Sequence, residues 1–379
     1  MTKLIYSKKL KKFDWFLLIL VVVLSLIGIL IFYSLGLANG DFSFFSKQII
    51  FLIIGILFVL FLPILDFRAV KESSLFTFFL YAVSILLLIG LFFFGKEIRG
   101  VRAWYAFGNF TLEPVEFIKI VFILLFAKYF SSRHIEMYHK EHIVLSAAYA
   151  FLPAALVFLQ PDFGSAAILL MIWFGMMLVS GIKRKHLFAI LAIGIIAALI
   201  FWNFILAVEQ KERISTFLEP YINPQGTYLD PEGSGYHIYQ STIAVGSGGF
   251  FGKGFSEPYT QAKLGFLPEA ETDFIFATTC EMFGILGIFI IFLLYFLIFW
   301  RLFKIAKESK DNFSRLVVSG FMILLGAGAF VNIAMNVGLL PITGVPLPFL
   351  SYGGSSIISL FIGIGIIESI KVHSEKYAL

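Results

Sequence analysis

The sequence predicts an all-α polytopic membrane protein, and three observations support that fold class. Hydrophobic residues make up 59% of the 379-residue chain and charged residues only 14%, whereas a soluble domain carries about 25% charged residues. Long apolar runs recur from one end to the other, as in chains that cross a bilayer repeatedly. No segment shows the alternation of a barrel strand, so we expect helices, which satisfy their own backbone hydrogen bonds in lipid.

Ten apolar runs have about the 17–25 residues that a transmembrane helix needs. The predicted spans cover residues 14–36, 47–65, 75–95, 113–130, 143–160, 164–181, 186–207, 273–303, 314–337 and 356–371. The first run is too long for a signal peptide, and only a weak cleavage signal follows it. Residues 1–379 are therefore interpreted as a single transmembrane domain with about ten helices.

Basic residues indicate that both termini lie in the cytoplasm. Lysines cluster before the first span, and further basic residues occupy the 183–185 turn and the 304–310 loop. Positive charge concentrates in cytoplasmic loops, and an even number of spans returns the C-terminus to the same side. The net charge of +5 thus reflects topology. No nucleic-acid partner is predicted, because these residues form no basic face outside the short loops.

The sequence lacks the residues for a disulfide, for a structural metal site and for a nucleotide-binding motif. Cys280 is the single cysteine, so no disulfide can form within the chain. No grouping of His, Cys and carboxylates has the spacing of a structural metal site. The sequence contains neither a P-loop nor a dinucleotide fingerprint, so an ATP-driven pump is not predicted.

One long external loop, residues 208–272, is predicted between helices 7 and 8. The loop is rich in glycine, and a structureless loop of this length is uncommon unless it is functional. Its 247–254 portion places backbone N–H groups beside Lys253, an arrangement that can bind phosphate. Glycine-rich loops are more often plain turns, and that alternative stays open.

Asp273 lies where the carboxylate-rich stretch 267–273 runs directly into the eighth span. An ionisable group that enters hydrocarbon is costly, and such a residue is a functional candidate by default. A carboxylate at this boundary suits a catalytic base. Thr272 or Asp273 could equally cap the helix, and the spacing does not separate the two interpretations.

Two further acidic positions are predicted near the external surface. Glu116 and Lys119 are three residues apart near the start of the fourth span, so they share one helix face. They either line a solvated cavity or form an internal ion pair that locks helices together. Asp162 lies in the tight turn 160–165, for which turn formation is the default explanation.

The ninth span leads into a segment that cannot be a regular helix. Asn332 and Asn336 lie four residues apart on one face of this span, where such residues often bond neighbouring helices. Prolines and glycines then interrupt residues 341–354, which also contain Ser351. Broken backbone at membrane depth is buried in protein or lines a cavity.

All of these polar features fall on the predicted external side or in the outer leaflet. A transporter should carry its polar features around the midplane, with access from both sides. The asymmetry instead favours an enzyme that works at the external face on a membrane-bound substrate.

A set of short segments, in order along nearly the whole chain, resembles the SEDS family (shape, elongation, division and sporulation), which includes RodA, FtsW and SpoVE. The segments are residues 100–104 (GVRAW), 113–116 (EPVE) with Lys119, 160–164 (QPDFG), 235–236 with 240–241, 243–249 (IAVGSGG), 252–254 (GKG), 267–269 with 272–276, and 344–349 with 351–354.

The resemblance implies a peptidoglycan glycosyltransferase that polymerises lipid II into glycan strands outside the bacterial cytoplasmic membrane. It also implies a ten-helix fold, an external active site and a class B penicillin-binding protein transpeptidase as partner. The family's essential aspartate falls on Asp273, and a second important acidic residue falls on Asp162. The chain departs from the family pattern at Glu113, Val115 and Ala103, where Gln, Ser and Arg are usual. Roles in cell shape, cell division and sporulation share these motifs and are not separated.

The expected reaction needs one base, because a β-1,4 product from an α-linked donor requires inversion without a covalent sugar intermediate. We expect Asp273 to be this base, its pKa raised by partial desolvation and by the nearby Glu269 and Glu271. Cations should stabilise the departing pyrophosphate. The candidate substrate-binding residues are Arg102, Lys119, Arg213 and Lys253 as cations, together with Trp104, Glu116, Asp162, Asn336 and Ser351. The residues identify no cofactor for this chemistry, and a divalent cation, Mg²⁺ or Mn²⁺, held by Asp162 or Asp273 is left open.

Rival functions from other classes remain. A flippase or transporter of a lipid-linked cell-wall precursor would also explain the spans and the buried charge, and polymer formation by purified protein separates it from an enzyme. A different external glycosyltransferase, such as an O-antigen ligase, should not carry this set of motifs. A purely scaffolding membrane partner would not require Asp273.

Overall fold

The computed structural model describes residues 12–65, 68–98, 100–108, 110–132, 140–200 and 234–373, and within 201–233 only Asn203, Lys211, Ser215 and Phe217. Helices dominate this part of the chain. They are α1 (Trp15–Asn39), α2 (Ser43–Phe61) with a 3-10 turn at Leu62–Ile64, α3 (Arg68–Glu72), α4 (Ser74–Phe94), α5 (Pro114–Ser132), α6 (Lys140–Phe158), α7 (Phe163–Val179), α8 (Arg184–Ile200), α9 (Ser234–Ser247), α10 (Ile275–Glu308), α11 (Asn312–Asn336) and α12 (Gly354–His373). Each predicted span overlaps one of these helices, so the helical class is confirmed.

Seven of the described helices are long and apolar enough to cross a membrane: α1, α2 with its 3-10 turn, α4, α6, α10, α11 and α12. α7 is a shorter apolar helix. α5 is interrupted by three charged residues, Glu116, Lys119 and Lys128. The number of ten crossings and the cytoplasmic location of the termini stay predictions.

A small antiparallel sheet between α4 and α5 departs from the all-α prediction. Its strands are β1 (Lys96–Ile98), β2 (Val101–Phe107) and β3 (Phe110–Leu112), in that spatial order. β2 is rich in aromatic residues, which favour strands, and Gly108, with a φ of +60°, begins the turn to β3. Hydropathy overlooks these strands because they are far shorter than a membrane span.

The loop predicted at residues 208–272 contains a helix that the sequence analysis does not predict. α9 lies inside the predicted 208–272 loop and packs against α10 and α11. It has only 14 residues, fewer than a span needs, so a search for membrane-length runs passes over it. Turns and coil fill most of the stretch from the end of α9 to the start of α10.

α11 and α12 lie at the centre of the bundle. α11 packs against α5, α7 and α10, and α12 packs against α2. Small residues let these helices approach closely. Gly320 in α11 lies against Ile123 and Met176, and Gly363 in α12 lies against Phe321. Because α11 ends at the point where the irregular segment 337–353 begins and α12 starts after it, the two helices hold that segment at one end of the bundle.

The opposite end of the bundle is held by a buried charge network. The carboxylate of Asp14 accepts the Leu17 N–H at 3.1 Å and the Lys371 ammonium at 2.6 Å, and it also pairs with Arg301. The backbone N–H of Asp14 donates to Oε2 of Glu368 at 2.9 Å. Burial opposes ionisation of Asp14, but the hydrogen bonds from Lys371 and Arg301 outweigh it and lower the pKa. The network joins α1, α10 and α12 at the predicted cytoplasmic end.

Candidate active site

Asp273 ends the turn that leads into α10, and two buried amides fix its backbone. Nδ2 of Asn332 and Nδ2 of Asn336 both donate to the Asp273 carbonyl oxygen, at 3.0 and 2.9 Å. Oδ1 of Asn336 accepts the Ala277 N–H at 3.0 Å. Asn336 of α11 thus bonds both the first turn of α10 and Asp273, two residues before that helix. The position of the Asp273 backbone is therefore set by the packing of these two helices.

The irregular segment between α11 and α12 lies directly beside Asp273. Gly344 has a φ of +72°, and a Cβ built on it would lie 3.8 Å from Oδ2 of Asp273, so the carboxylate faces this glycine. The Val345 carbonyl accepts a hydrogen bond from Nδ2 of Asn332 at 2.8 Å. The interrupted backbone that the sequence predicts here is confirmed, and it forms one wall of the candidate site.

Ser351 ties the same segment to the turn before Asp273. Its hydroxyl donates to the Thr272 carbonyl at 2.7 Å and accepts the Leu347 N–H at 2.8 Å. Ser351 and Asn336 are predicted to bind substrate, and in this structure both hold backbone around Asp273. A substrate contact by either residue stays a prediction.

Glu271 also contacts the segment, since its carbonyl accepts the Tyr352 N–H at 2.8 Å. Burial raises the pKa of the Glu271 side chain, and the charge of Glu269 raises it further. The elevated pKa predicted for Asp273 itself stays a prediction.

Asp162 caps α7 beside the same segment. Its Oδ1 accepts the Ser165 N–H at 3.0 Å, which is the turn geometry that the sequence offers as the default. A Cβ on Gly164 would overlap the Thr343 carbonyl oxygen, so the start of α7 touches the chain next to Gly344. Burial raises the pKa of Asp162 despite the opposing hydrogen bonds from Ser165. Asp162 and Asp273 therefore both adjoin residues 343–345.

Glu116 and Lys119 form an ion pair inside the bundle. Nζ of Lys119 lies 2.7 Å from Oε1 of Glu116, and the two residues are 4% and 5% exposed. The structure thus contains the internal pair that the sequence leaves as one of two alternatives. Their charges also act on Glu113 and Asp162. We call these four residues the carboxylate cluster.

Glu113 completes the carboxylate cluster just before α5. Its Oε2 accepts the indole N–H of Trp104 at 3.2 Å, and its backbone N–H donates to Oγ of Ser355 at 2.9 Å. Burial, followed by the charges of Glu116 and Asp162, raises the pKa of Glu113 to about 8. Three carboxyl groups share a single lysine in this cluster, so repulsion between like charges adds to burial in raising the pKa of Glu113.

Arg102 lies on the exposed side of β2. Its Nε is 2.8 Å from Oε2 of Glu97, and both side chains are about half exposed, at 53% and 50%. Among the candidate cations that the structure describes, Arg102 is the most accessible to solvent and Lys119 the least. Arg213 lies outside the described residues.

Lys253 and Glu281 form an ion pair that the sequence interpretation does not include. Nζ of Lys253 lies 2.6 Å from Oε1 of Glu281, and the side chains are 27% and 0% exposed. Oε2 of Glu281 also accepts the Gln261 N–H at 2.9 Å. A carboxylate inside the eighth apolar run is itself a signal of function, and it could have identified Glu281.

The glycine-rich turn before Lys253 uses its amides within the protein. The N–H groups of residues 252–254 donate in order to the carbonyl oxygens of Gly248, Glu281 and Met282, at 2.8, 2.9 and 3.0 Å. These three amides already have acceptors, which favours the plain-turn alternative over a phosphate cradle. The ammonium of Lys253 remains the group in this turn that can meet an anion.

A metal site is not preassembled in the part of the chain that the structure describes. There, no group of three or more His, Cys, Asp or Glu side chains is placed to hold a metal ion. Asp162 and Asp273, the two candidate metal ligands, adjoin the same backbone segment, and metal binding by either stays a prediction. We therefore derive no step through a metal.

Comparisons with known proteins agree along the whole chain. The family model for cell cycle proteins of the FtsW, RodA and SpoVE type matches residues 9–376. The peptidoglycan glycosyltransferase MrdB of Escherichia coli is 35% identical over 297 residues, which cover 78% of this chain and 77% of that protein. The probable peptidoglycan glycosyltransferase FtsW of Bacillus subtilis is 32% identical over 378 residues, which cover 97% of this chain and 92% of that protein.

A solved structure supports the same relationship. It describes the structural coordination of polymerization and crosslinking by a peptidoglycan synthase complex. One of its chains superposes on this one with a TM-score of 0.79 at 31% sequence identity, covering 96% of this chain and 99% of that chain.

Proposed function

The chain belongs to the family of cell cycle proteins that includes FtsW, RodA and SpoVE, and from this membership we propose that it is a multi-pass membrane peptidoglycan glycosyltransferase. Similar proteins of Escherichia coli and Bacillus subtilis carry that name. The substrate is lipid II, a disaccharide-peptide on undecaprenyl pyrophosphate, and the product is a β-1,4 glycan strand.

Glycan extension joins the 4-hydroxyl of an acceptor sugar to the anomeric carbon of a donor. The acceptor loses its proton to a base, its oxygen forms the new bond, and the anomeric C–O bond breaks. Undecaprenyl pyrophosphate leaves with the electron pair, and the anomeric centre is inverted. Pyrophosphate is a good leaving group, so one base is enough and a protonated acid is optional.

Asp273 is the base in this proposal, and one observation carries the assignment. Two buried amides, from Asn332 and Asn336, fix its backbone carbonyl, and its carboxylate faces Gly344 in the irregular segment. The carboxylate is thereby held at a defined position beside a wall of interrupted backbone, as a general base must be.

Cations for the pyrophosphate are proposed among Lys253, Lys119, Arg102 and Arg213. Lys253 fits this role best of the described residues, because its ammonium is partly exposed and a carboxylate holds it in place. Lys119 is almost wholly buried against Glu116 and suits a supporting role. Lys119→Met should therefore disturb the carboxylate cluster more than it weakens contact with the pyrophosphate.

The proposal places the site at the external face of the bacterial cytoplasmic membrane. The candidate site and the Asp14 network lie at opposite ends of α10 and α12, and the basic loops assign the Asp14 end to the cytoplasm. A class B penicillin-binding transpeptidase is the proposed partner, since the similar solved structure concerns both polymerization and crosslinking.

A lipid II polymerisation assay with purified full-length protein tests the proposal. General-base catalysis contributes about 10²–10⁴-fold, so Asp273→Asn should lower the rate by roughly 100-fold or more. The substitution keeps the backbone contacts of Asp273, so the variant should still fold, and thermal unfolding checks this. Asp311→Asn, at an exposed carboxylate at the start of α11, is the matched control and should retain full activity.

Two results would count against the proposal in different ways. Wild-type polymerisation by Asp273→Asn would remove Asp273 as the base while leaving the enzyme class intact. Wild-type protein that moves lipid II across vesicles without forming polymer would instead favour the precursor flippase.

A further inference from the structure

The glycine-rich turn after α9 reaches deep alongside α10. The carbonyl of Phe250 accepts the N–H of Leu286 at 3.1 Å, about 11 residues into α10, or roughly 16 Å from its first residue along the axis. Nearer the start of α10, Ser241 in α9 donates to the carbonyl of Asn336 at 2.8 Å. Residues 234–261 therefore form a re-entrant hairpin that descends beside α10 and returns toward the turn that carries Asp273.

The re-entrant hairpin docks backbone to backbone on a break in α10. Gly284 has a φ of +62° inside the helix, and a Cβ there would overlap the backbone nitrogen of Gly252. A Cβ on Gly248 would overlap the Cys280 carbonyl, and one on Gly252 would overlap the Met282 carbonyl. Glycines on both sides thus allow an approach that no other residue permits.

The Glu281 side chain accepts hydrogen bonds from three parts of the re-entrant hairpin. Its carboxylate accepts the Lys253 ammonium at 2.6 Å, the Gln261 N–H at 2.9 Å and the Ser247 hydroxyl at 3.4 Å. These donors come from the end of α9, from the turn and from the returning chain. Glu281 itself is fully buried, six residues into α10 and roughly 9 Å from the start of the helix.

The packing of the re-entrant hairpin on α10 does not by itself require an ion pair between Lys253 and Glu281. A buried ion pair is no more stabilising than a well-packed apolar pair, because desolvation offsets the attraction. Ionisable groups at membrane depth are costly and mark functional sites by default. The Lys253 ammonium has three N–H donors, Glu281 occupies one of them, and the side chain keeps 27% exposure. The pair therefore holds a cation that can still bind an anion.

We propose that Glu281 is a positioning residue of the glycosyltransferase, which fixes the Lys253 ammonium below the Asp273 turn, where it binds the diphosphate of the lipid-linked substrate. This inference rests on the proposed function. In it Glu281 touches no substrate and acts through Lys253.

The test compares wild type, Glu281→Gln, Lys253→Met and the double variant, all as full-length purified protein. Glu281→Gln should lower the melting temperature, because Lys253 loses its partner. The double variant should regain most of that loss, because no unpaired charge remains and glutamine still accepts the Gln261 N–H. All three variants should raise the KM for lipid II about tenfold, the effect of losing one hydrogen bond to a charged group. Inhibition by inorganic pyrophosphate should weaken in parallel.

A purely structural pair predicts a different result for the double variant. If that variant regains the wild-type KM and pyrophosphate inhibition together with its melting temperature, Glu281 and Lys253 only dock the hairpin and the proposal is wrong. If the wild type forms no polymer, the proposed function fails and the inference fails with it. Glu308→Gln removes the exposed partner of Lys304, 3.9 Å away on the same helix, and should change neither readout.

Discussion

The two ends of the bundle contain buried carboxylates in opposite electrostatic settings. At the predicted cytoplasmic end, two carboxylates, Asp14 and Glu368, lie with two cations, Arg301 and Lys371. At the other end, the three carboxyl groups of the carboxylate cluster share one lysine. The cations of the Asp14 network match its carboxylates in number, and both pair with Asp14, whereas the carboxylate cluster carries an excess of negative charge. That excess makes the second end the better candidate for a functional site.

The largest effect on stability is expected from a substitution in the Asp14 network. Asp14→Asn keeps an acceptor for the Leu17 N–H but leaves Arg301 and Lys371 without their shared carboxylate. Breaking a buried pair costs about 3–5 kcal/mol, and the partial exposure of both cations places this case near 3 kcal/mol. Thermal unfolding in detergent should show the loss, while the KM and kcat of the folded protein stay within about twofold of wild type.

Asp311→Asn is the matched control for this substitution. Asp311 also caps a helix, accepting the Ser314 N–H at 3.0 Å. Its ion partner Lys71 is 3.5 Å away, and both side chains are well exposed, at 37% and 42%. An exposed pair is worth about 0–1 kcal/mol, so the melting temperature should hardly change. A loss of activity in Asp14→Asn without a loss of stability would contradict the contrast between the two ends.

The next effect tests the irregular backbone at the end of the bundle that carries Asp273. Gly164→Ala places a Cβ against the Thr343 carbonyl oxygen, so residues 343–345 must shift. Overpacking of this kind costs about 1–3 kcal/mol. The shift moves the wall that Asp273 faces, and a displacement of about 1 Å can lower a rate 100-fold. The polymerisation rate should therefore fall by more than the melting temperature implies.

Gly175→Ala, on the same helix, is the control that separates an effect on residues 343–345 from a general effect on α7. A Cβ there meets the side chain of Ile323 at 2.9 Å, and a side chain can move where a backbone carbonyl cannot. We expect a small loss of stability and normal kinetic constants. Equal loss of activity in both alanine variants would show that residues 343–345 have no special role.

The features that could be predicted from the sequence are those with a signal within one short stretch of residues. Membrane-length apolar runs are a signal within one stretch of sequence, so the spans match helices closely. The motif resemblance singled out Asp273 among three neighbouring carboxylates. The sheet and α9 were missed because both are too short to register as spans. The loop predicted between helices 7 and 8 therefore contains a helix that hydropathy does not reveal.

Contacts between distant residues could not be predicted in the same way. The amide of Asn336 reaches the Asp273 carbonyl across 63 positions, and the Lys371 ammonium reaches Asp14 across 357. No spacing rule pairs such residues, since the helix packing that joins them is a property of the whole bundle. The same holds for Lys253, whose partner lies 28 positions away and in a different element.

The last effect concerns the excess of negative charge in the carboxylate cluster and is read from the pH dependence of stability. The pKa of Glu113 is about 8 in the folded protein, against an ordinary value near 4.3. Between these two values the folded state holds a proton that the unfolded chain has released, so stability falls as pH rises. Above pH 8 both states are ionised and the loss is complete.

Glu113→Gln removes this titration while keeping the shape of the side chain and an oxygen for the Trp104 indole. Its melting temperature should therefore fall less than that of the wild type between pH 5 and pH 9, because most of the interval between the two pKa values lies in this range. Glu72→Gln, at an exposed glutamate, should follow the wild-type curve. Identical pH curves for wild type and Glu113→Gln would show that the proton of the carboxylate cluster resides elsewhere. Asp162, whose pKa burial also raises, would then be the group to substitute, and the excess of negative charge would still set this end apart from the Asp14 network.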